Sequence, residues 1–306
     1  MKNRSIYVLI LLLAAVPWFM GNRYVFHLAT MITIMLPLAL SMNLMLKIGQ
    51  LSIAQPAFMG IGAYGSALLA MRLGFPPPLA WLCAALLAGI LAAVVGPLFL
   101  RIKGVYFVLL TYAFGEIINL IFQEWTSLFG GNNGLYGVPK FSILGLRLTQ
   151  PQHYFVFGLL LSLLVYWVMR RAERSDVGAI FQSLNEDEML ARSIGSNALS
   201  WRIGTFAVSA FVAGLSGGLY AFYIGFLSPE AFGFMLSVDL IVINAIGGVS
   251  TVLGPVLGAI LIVPLPEVLR EAREYQLLIY GVCLVVFLIF FRQGLIAMLQ
   301  RRKADA

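Results

Sequence analysis

Charged residues are scarce in this chain, and their scarcity decides its class. Only 11% of the 306 residues are Asp, Glu, Lys or Arg, whereas 61% are hydrophobic. Soluble domains carry about 25% charged residues, so this composition excludes an ordinary soluble protein. Several apolar runs approach or exceed the roughly 20 residues that a helix needs to cross a bilayer. The sequence therefore predicts an integral membrane protein.

Side chains that carry chemistry are also few. Cys83 and Cys283 each lie inside an apolar run, so they form neither a disulfide framework nor a metal-binding spacing. His27 and His153 are too isolated to be a ligand set. The chain lacks a G-x-x-x-x-G-K-[ST] phosphate-binding loop and any pairing of a nucleophile with a base. We expect no catalytic residue, no bound metal and no cofactor on this chain.

The Lys and Arg residues of the chain indicate how it is oriented in the membrane. The 20 Lys and Arg exceed the 13 Asp and Glu by seven, and they lie beside apolar spans rather than among aromatic residues on a polar face. This pattern is typical of membrane orientation and not of nucleic-acid binding. We therefore expect membrane lipid, and no nucleic acid, around this protein.

The apolar segments define the fold class. They run over about 6–20, 24–46, 51–71, 79–99, 104–122, 154–169, 202–226, 237–264 and 276–291. Irregular backbone exposed to hydrocarbon would leave its polar groups unpaired. We therefore predict an all-α polytopic membrane protein with about eight spanning helices in one transmembrane domain, 1–306. Pro17, Trp18 and Phe19 stand where signal peptidase needs small residues, so the first segment is expected to be an uncleaved span.

The segment 237–264 is interrupted by small residues and a proline. The interrupting residues are Gly247, Gly248, Gly254 and Pro255. They predict a broken or re-entrant pair of half-helices that returns the chain to the outer face. The first half of the chain is similarly interrupted by Gly49, Ser52 and Pro56. Paired interruptions in two halves favour an inverted repeat with the transport path between them, although ordinary kinks are an alternative.

The orientation follows from counting basic residues on each side. With the polar loop 170–202 in the cytoplasm, both termini are cytoplasmic and the inner face holds fourteen of the twenty Lys and Arg. These fourteen are Lys2, Arg4, Lys47, Arg101, Lys103, Arg170, Arg171, Arg174, Arg192, Arg202, Arg292, Arg301, Arg302 and Lys303.

The loop 170–202 is the one long polar segment between two membrane-length apolar runs. Asn185 is a good helix N-cap, Glu188 completes a capping box, and Gly195 is a stop signal. A short amphipathic helix is therefore predicted over 186–194, with its acids in the first turn. Such a helix can lie on lipid, pack on its own protein or face a soluble partner.

The run E-D-E-x-x-A-R-x-x-G within this loop resembles the coupling-loop signature of ABC-importer permeases of the branched-chain amino-acid type. Its residues are Glu186, Asp187, Glu188, Ala191, Arg192 and Gly195. Three further stretches match the same family in the same order, at 49–64, 100–118 and 237–259. The resemblance implies that 170–202 is a cytoplasmic coupling loop that contacts an ATPase.

The resemblance also implies an assembly. A permease of this type works with a second homologous permease subunit, two cytoplasmic ATPase subunits that bind ATP and Mg²⁺, and a periplasmic substrate-binding protein. Its expected place is the cell inner membrane, and its expected cargo is branched-chain or related amino acids. Alternatives are a permease for another small solute such as urea or an amide, and a secondary transporter or channel. Ala54, Gln55 and Pro56 depart from the Gly, His and Ala common in the family, which leaves the solute open.

Two acids are predicted at membrane depth, Glu116 and Asp239. A charge there costs about 2.5–3.5 kcal/mol on insertion scales, so each acid should face the interior, a wet cavity or a partner. The same broken or family-matching spans also hold polar uncharged residues, namely Asn43, Ser52, Gln55, Asn119 and Asn244. We predict that these seven residues belong to the translocation pathway, with helix-to-helix bonding as the alternative. The resemblance places Glu116 in the family's GE motif and Asp239 where the family usually has Glu.

The outer loop holds the glycine-rich run FGGNNGL at 129–135. Gly and Asn tolerate positive φ, so this run predicts a turn. It also resembles a family motif, which allows a second interpretation as part of the rim that a substrate-binding protein meets.

Overall fold

The computed structural model describes residues 17–18, 21–143, 146–186, 197–269 and 275–290. Its longer helices are α1 (Arg23–Lys47), α2 (Gln55–Arg72), α3 (Pro77–Phe99), α4 (Val105–Glu124), α5 (Pro151–Glu173), α6 (Asp176–Glu186), α7 (Ala198–Ile224), α8 (Phe234–Gly247), α9 (Leu253–Ile262) and α10 (Gln276–Phe290).

The remaining elements are short. Single helical turns lie at Thr126–Phe129, Gly131–Asn133, Pro229–Phe232 and Leu265–Val268. Strand β1 (Leu135–Tyr136) pairs antiparallel with β4 (Phe226–Leu227), and β2 (Ser142–Ile143) pairs antiparallel with β3 (Leu146–Arg147).

The all-α polytopic prediction is confirmed. Among the described residues, six helices are long and apolar enough to cross a membrane. They are Arg23–Lys47, Pro77–Phe99, Val105–Glu124, Pro151–Glu173, Ala198–Ile224 and Pro229–Gly247, the last of which takes the turn Pro229–Phe232 together with α8. The expected number was about eight. Helices α2 and α10 occupy two other predicted segments but are not among these six, and the predicted first span, 6–20, lies almost wholly outside the described residues.

Helix α7 forms the centre of the bundle and packs against α1, α2 and α3. Small residues permit this packing: a Cβ added at Gly62 would lie 2.2 Å from the Gly214 carbonyl oxygen, and one at Gly217 would lie 1.9 Å from the Met59 oxygen. Gly214 also lies against Ala85 of α3. Close backbone approach gives the van der Waals contact that drives helix association in lipid.

Helices α8 and α9 form a tight antiparallel hairpin, which confirms the predicted break. A Cβ at Gly247 would lie 1.9 Å from the Gly254 carbonyl oxygen, and one at Gly258 would lie 2.0 Å from the Ile243 oxygen. Gly248 begins the turn between the helices at φ 105°, a conformation that favours glycine. The two halves of the broken segment therefore run side by side in opposite directions.

The position of this hairpin along α1 shows that the chain returns to the end from which it came. Its tip contacts the C-terminal part of α1, where Asn43 binds Val249. Its exit lies at the N-terminal end of α1, where the Tyr24 hydroxyl donates to the Glu267 carbonyl oxygen. The predicted return of the chain is therefore confirmed, and its re-entrant depth and outer placement stay predictions. The inverted repeat stays a prediction.

Candidate transport pathway and coupling surface

Helix α6 is held against the protein rather than projecting from it. Phe181 and Leu184 are buried, and Val177 and Ile180 pack on the same apolar core. This i, i+3, i+4, i+7 spacing places one apolar stripe against α5 and α1. The stripe keeps the chain helical through Asn185.

The prediction that Asn185 caps a new helix is therefore wrong. Asn185 and Glu186 lie within α6, because the packed stripe outweighs the local capping signal. Glu186 accepts a hydrogen bond from Gln182, one turn earlier. The other predicted coupling residues, Asp187, Glu188, Ala191, Arg192 and Gly195, lie outside the described residues.

Two contacts join α6 and its neighbours to the end of α1. Lys47, in the last turn of α1, forms an ion pair with Glu173, in the last turn of α5. Gly49 follows at φ 72°, and a Cβ there would lie 2.8 Å from the Asn185 side-chain oxygen. The ends of α5 and α6 therefore lie against the end of α1.

The two chain interruptions are stabilised by side chains from other parts of the bundle. The Ile53 N–H donates to the Thr111 hydroxyl at 3.1 Å, and the Ile53 carbonyl accepts from Ser237 at 2.9 Å. At the second interruption, the Val249 carbonyl accepts from the Asn43 amide at 3.2 Å. Broken helices persist in a membrane where side chains pair the freed backbone groups in this way.

Asn43 and Asn244 lie in one polar layer beneath the hairpin tip. The Asn244 amide donates to the carbonyl oxygens of Ala39 and Leu240, at 3.1 and 2.9 Å. Carbonyl partners fix which end of each amide is the nitrogen. Both side chains are fully buried, and their oxygen atoms have no donor among the described residues. A buried acceptor without a donor is costly. The two amide oxygens of this layer could therefore accept hydrogen bonds that the described helices do not supply.

Gln55 joins three helices in a buried hydrogen-bond network. It donates to Ser209 of α7 at 2.8 Å and accepts from Ser41 of α1 at 3.1 Å, while Ser209 donates to the Ser41 carbonyl. Ser52 lies in the preceding turn and accepts from the Ala54 N–H. Gln55 and Ser52 are fully buried. Gln55 thus forms hydrogen bonds between helices, which is the alternative to lining the translocation pathway. Its role in the pathway stays a prediction.

Glu116 lies in a narrow cleft between α4 and the start of α8. Ile53, Phe232 and Ser237 also line this cleft. The carboxylate has no hydrogen bond or ion pair with the residues that the structure describes. Asn119, one turn further on, is nearly buried and accepts from Gln123 at 3.2 Å. The structure thus places Glu116 in the same cleft as Ile53 of the first chain interruption, and its role in a pathway stays a prediction.

Asp239 faces a larger cavity between α1 and the hairpin. The volume of this cavity is about 210 Å³, and Met35, Ile243 and Val263 are among its apolar lining residues. The Tyr280 hydroxyl of α10 donates to the Asp239 carboxylate. Asp239 and Glu116 therefore lie in two different openings, while Asn43 and Asn244 form the layer beneath the hairpin tip.

Several residues that build this region were not anticipated. Thr111, Ser237 and Tyr280 lie within long apolar runs, where one hydroxyl is ordinary and gives no signal of its partner. Ser237 could have been found from the sequence, because it is the first residue of the broken segment that contains Asp239. Among the described residues no group of three His, Cys, Asp or Glu side chains could hold a metal ion.

The glycine-rich run at 129–135 is a turn, as predicted. Gly130, Gly131 and Gly134 all have positive φ. A Cβ at Gly134 would lie 2.5 Å from the Leu227 carbonyl oxygen, so glycine is needed where β1 meets β4. Its interpretation as a docking rim stays a prediction.

Comparison with known proteins finds one family and several relatives that are similar to this chain. A family described as branched-chain amino acid transport system, permease component, matches residues 24–288. The high-affinity branched-chain amino acid transport system permease protein LivM of Escherichia coli K12 is 32% identical over 97% of this chain and 76% of its own length. LivM of Salmonella typhimurium gives the same values. The autoinducer 2 import system permease protein LsrC of Salmonella paratyphi B is 29% identical over 44% of this chain and 40% of its own. No solved structure matched the chain.

Proposed function

The chain belongs to the branched-chain amino acid transport system permease family, and we propose that it is the transmembrane subunit of an ATP-driven importer for branched-chain or related amino acids. The members of this family are transport subunits, and this chain is a multi-pass membrane protein. The single observation that carries the proposal is the likeness to LivM over nearly the whole chain. The broken hairpin and the acids beside it agree with a transport path.

The proposal includes partners. A second homologous permease subunit would complete the pathway, and two cytoplasmic ATPase subunits would bind ATP and Mg²⁺. A periplasmic binding protein would deliver the solute at the outer face. Lys47, Arg170 and Arg171, in the last turns of α1 and α5, support a cytoplasmic surface at the C-terminal ends of these helices. The inner membrane and cytoplasmic termini belong to the same proposal.

Coupling would proceed by rigid-body movement. Helix α6 packs against α1 and α5, and the coupling segment that begins at Glu186 follows it directly. Closure of the ATPase subunits would move this segment and, through α6, the base of α1. Because Asn43 of α1 holds the hairpin tip at Val249, the same movement would reach the broken segment.

The test is solute uptake by the assembled transporter in proteoliposomes. With the binding protein, ATP and Mg²⁺, leucine, isoleucine or valine should accumulate, and an ATPase variant without hydrolysis should abolish uptake. Uptake by the permease alone, driven by an ion gradient, would contradict the importer and support a secondary transporter. Uptake of urea or an amide, with no amino acid accepted, would keep the importer and replace its cargo.

A further inference from the structure

We propose that the cavity beside Asp239 is a binding site for the ammonium group and aliphatic side chain of the transported amino acid. The identity of the ligand as an amino acid rests on the proposed function, whereas the chemistry of the cavity is independent of it. The cavity joins α1 to both arms of the hairpin, so its walls come from the elements that a transport cycle would move.

The cavity walls suit a branched aliphatic group. Met31 and Met35 line one side from α1, Leu236 and Ile243 line another from α8, and Val263 follows α9. Methionine is flexible and polarizable, so it adapts to ligands of different branching. The volume, about 210 Å³, is small for a ligand pocket of about 300–1,000 Å³. It therefore favours a small aliphatic solute over an aromatic or larger one.

The charge of the lining selects the sign of the ligand. The Asp239 carboxylate lines the cavity, and no Lys, Arg or His is among its described lining residues. An ammonium group is complementary to this lining, and a carboxylate is not. The cavity should therefore recognise the amino end of the solute and not its carboxyl end.

Asp239 is positioned for this role. The Tyr280 hydroxyl donates to one carboxylate oxygen, Oδ1, and ties Asp239 to α10. A carboxylate has two oxygens and about four acceptor positions, so this bond leaves capacity for an ammonium donor. Tyr280 is thus a positioning residue, and Asp239 is the group that would contact the ligand.

Cysteine protection tests the cavity without relying on transport. Val263→Cys would be introduced into a Cys83→Ser, Cys283→Ser background, and the assembled transporter, without binding protein, would be labelled with a maleimide. Leucine and 3-methylbutylamine, which both carry the ammonium, should slow labelling. 4-Methylpentanoate, which keeps the side chain but lacks the ammonium, should not. Leu278→Cys, 65% exposed on α10, is the control outside the cavity and should not be protected.

Variants identify the groups. Asp239→Asn should raise the protecting leucine concentration by about tenfold or more, because a charge-assisted bond is lost. Tyr280→Phe should raise it by a smaller factor, and Asp239→Glu should restore protection. Met35→Trp should abolish protection by filling the cavity, whereas Leu278→Trp should leave it unchanged. If the asparagine variant does not assemble, the tyrosine and methionine variants still decide.

The outcomes separate this inference from the proposed function. ATP-driven leucine uptake without protection by leucine or 3-methylbutylamine would overturn the cavity assignment and leave the importer standing. Equal protection by 4-methylpentanoate would overturn the role of the Asp239 carboxylate. Protection by the amine in a transporter that takes up no amino acid would support the cavity chemistry and contradict only the proposed cargo.

Discussion

The side-chain amide of Asn43 donates to the backbone carbonyl of Val249 at 3.2 Å, across 206 positions of sequence. One residue lies in a continuous helix, and the other lies in the turn of the broken hairpin. Because the turn frees backbone groups from helical pairing, a side chain from another helix has to pair them. This bond fixes how deep the hairpin reaches along α1.

Replacing Asn43 with Leu should destabilise the protein. The substitution leaves the Val249 carbonyl unpaired but also removes the unpaired Asn43 oxygen, so the net cost should be that of one lost hydrogen bond, about 1 kcal/mol. The measurement is the thermal unfolding midpoint in detergent. Asn132→Ala, at an exposed position in the glycine-rich turn, is the matched control and should stay within about 0.5 kcal/mol. Equal effects of the two changes would contradict the role of Asn43.

The hairpin should not tolerate a methyl group at Gly258. A Cβ there would lie 2.0 Å from the Ile243 carbonyl oxygen, so the two helices would have to separate. Overpacking of this kind costs about 1–3 kcal/mol, which should appear as a lower unfolding midpoint for Gly258→Ala. The matched control is Gly281→Ala on α10, where a Cβ has no neighbour within 4 Å. That change should be neutral or stabilising by up to about 1 kcal/mol.

Gln276 should be accessible from the outer side of the membrane. The chain exits the hairpin beside Tyr24, and the Gln276 amide donates to the Pro266 carbonyl at 2.8 Å. Gln276→Cys, in a background without Cys83 and Cys283, should react with an impermeant maleimide added to intact cells. Asp176→Cys on α6 should react only after permeabilisation. Reaction of residue 276 only from the cytoplasmic side would rule out the re-entrant arrangement.

Glu116→Gln should impair transport more than assembly. The carboxylate is unpaired within the described part of the chain and faces the cleft beside Ile53, so its charge is not needed to join helices. We expect uptake per assembled complex to fall about tenfold, the scale of one charge-assisted hydrogen bond. Complex yield would be measured in the same preparations. Normal uptake from a poorly assembled variant would make Glu116 a structural residue.

The coupling segment should respond to bulk and to a helix breaker. Ala191→Trp would overfill a close contact with an ATPase, and Gly195→Pro would alter the exit of the chain. Both variants should insert normally, yet lose the copurifying ATPase and ATP-driven uptake. A lipid-surface helix would instead be sensitive to Leu190→Asp and indifferent to the change at Ala191. Retained ATPase with unchanged uptake in the first two variants would refute the coupling assignment.

Local signals predicted much of the fold because their causes are local. Long apolar runs require helices in lipid, and Gly247, Gly248 and Gly254 mark the break where backbones meet. The predicted helix cap at Asn185 failed for the opposite reason. Its capping signal was read from four neighbouring residues, whereas the packing of Phe181 and Leu184 against other helices decided the outcome.

For the candidate site as well, some properties followed from the sequence and others only from the packing of the helices. The sequence by itself determined that Glu116 and Asp239 would need polar or enclosed surroundings, because the cost of a charge in a membrane does not depend on the fold. Only the tertiary structure decided that Asp239 accepts a hydrogen bond from Tyr280 and that Asn43 donates one to Val249. It also decided that the Gln55 side chain is hydrogen-bonded to α1 and α7. Such partners lie far apart in sequence. Their pairing is set by which helix faces pack together, and the order of residues along one helix does not contain that information.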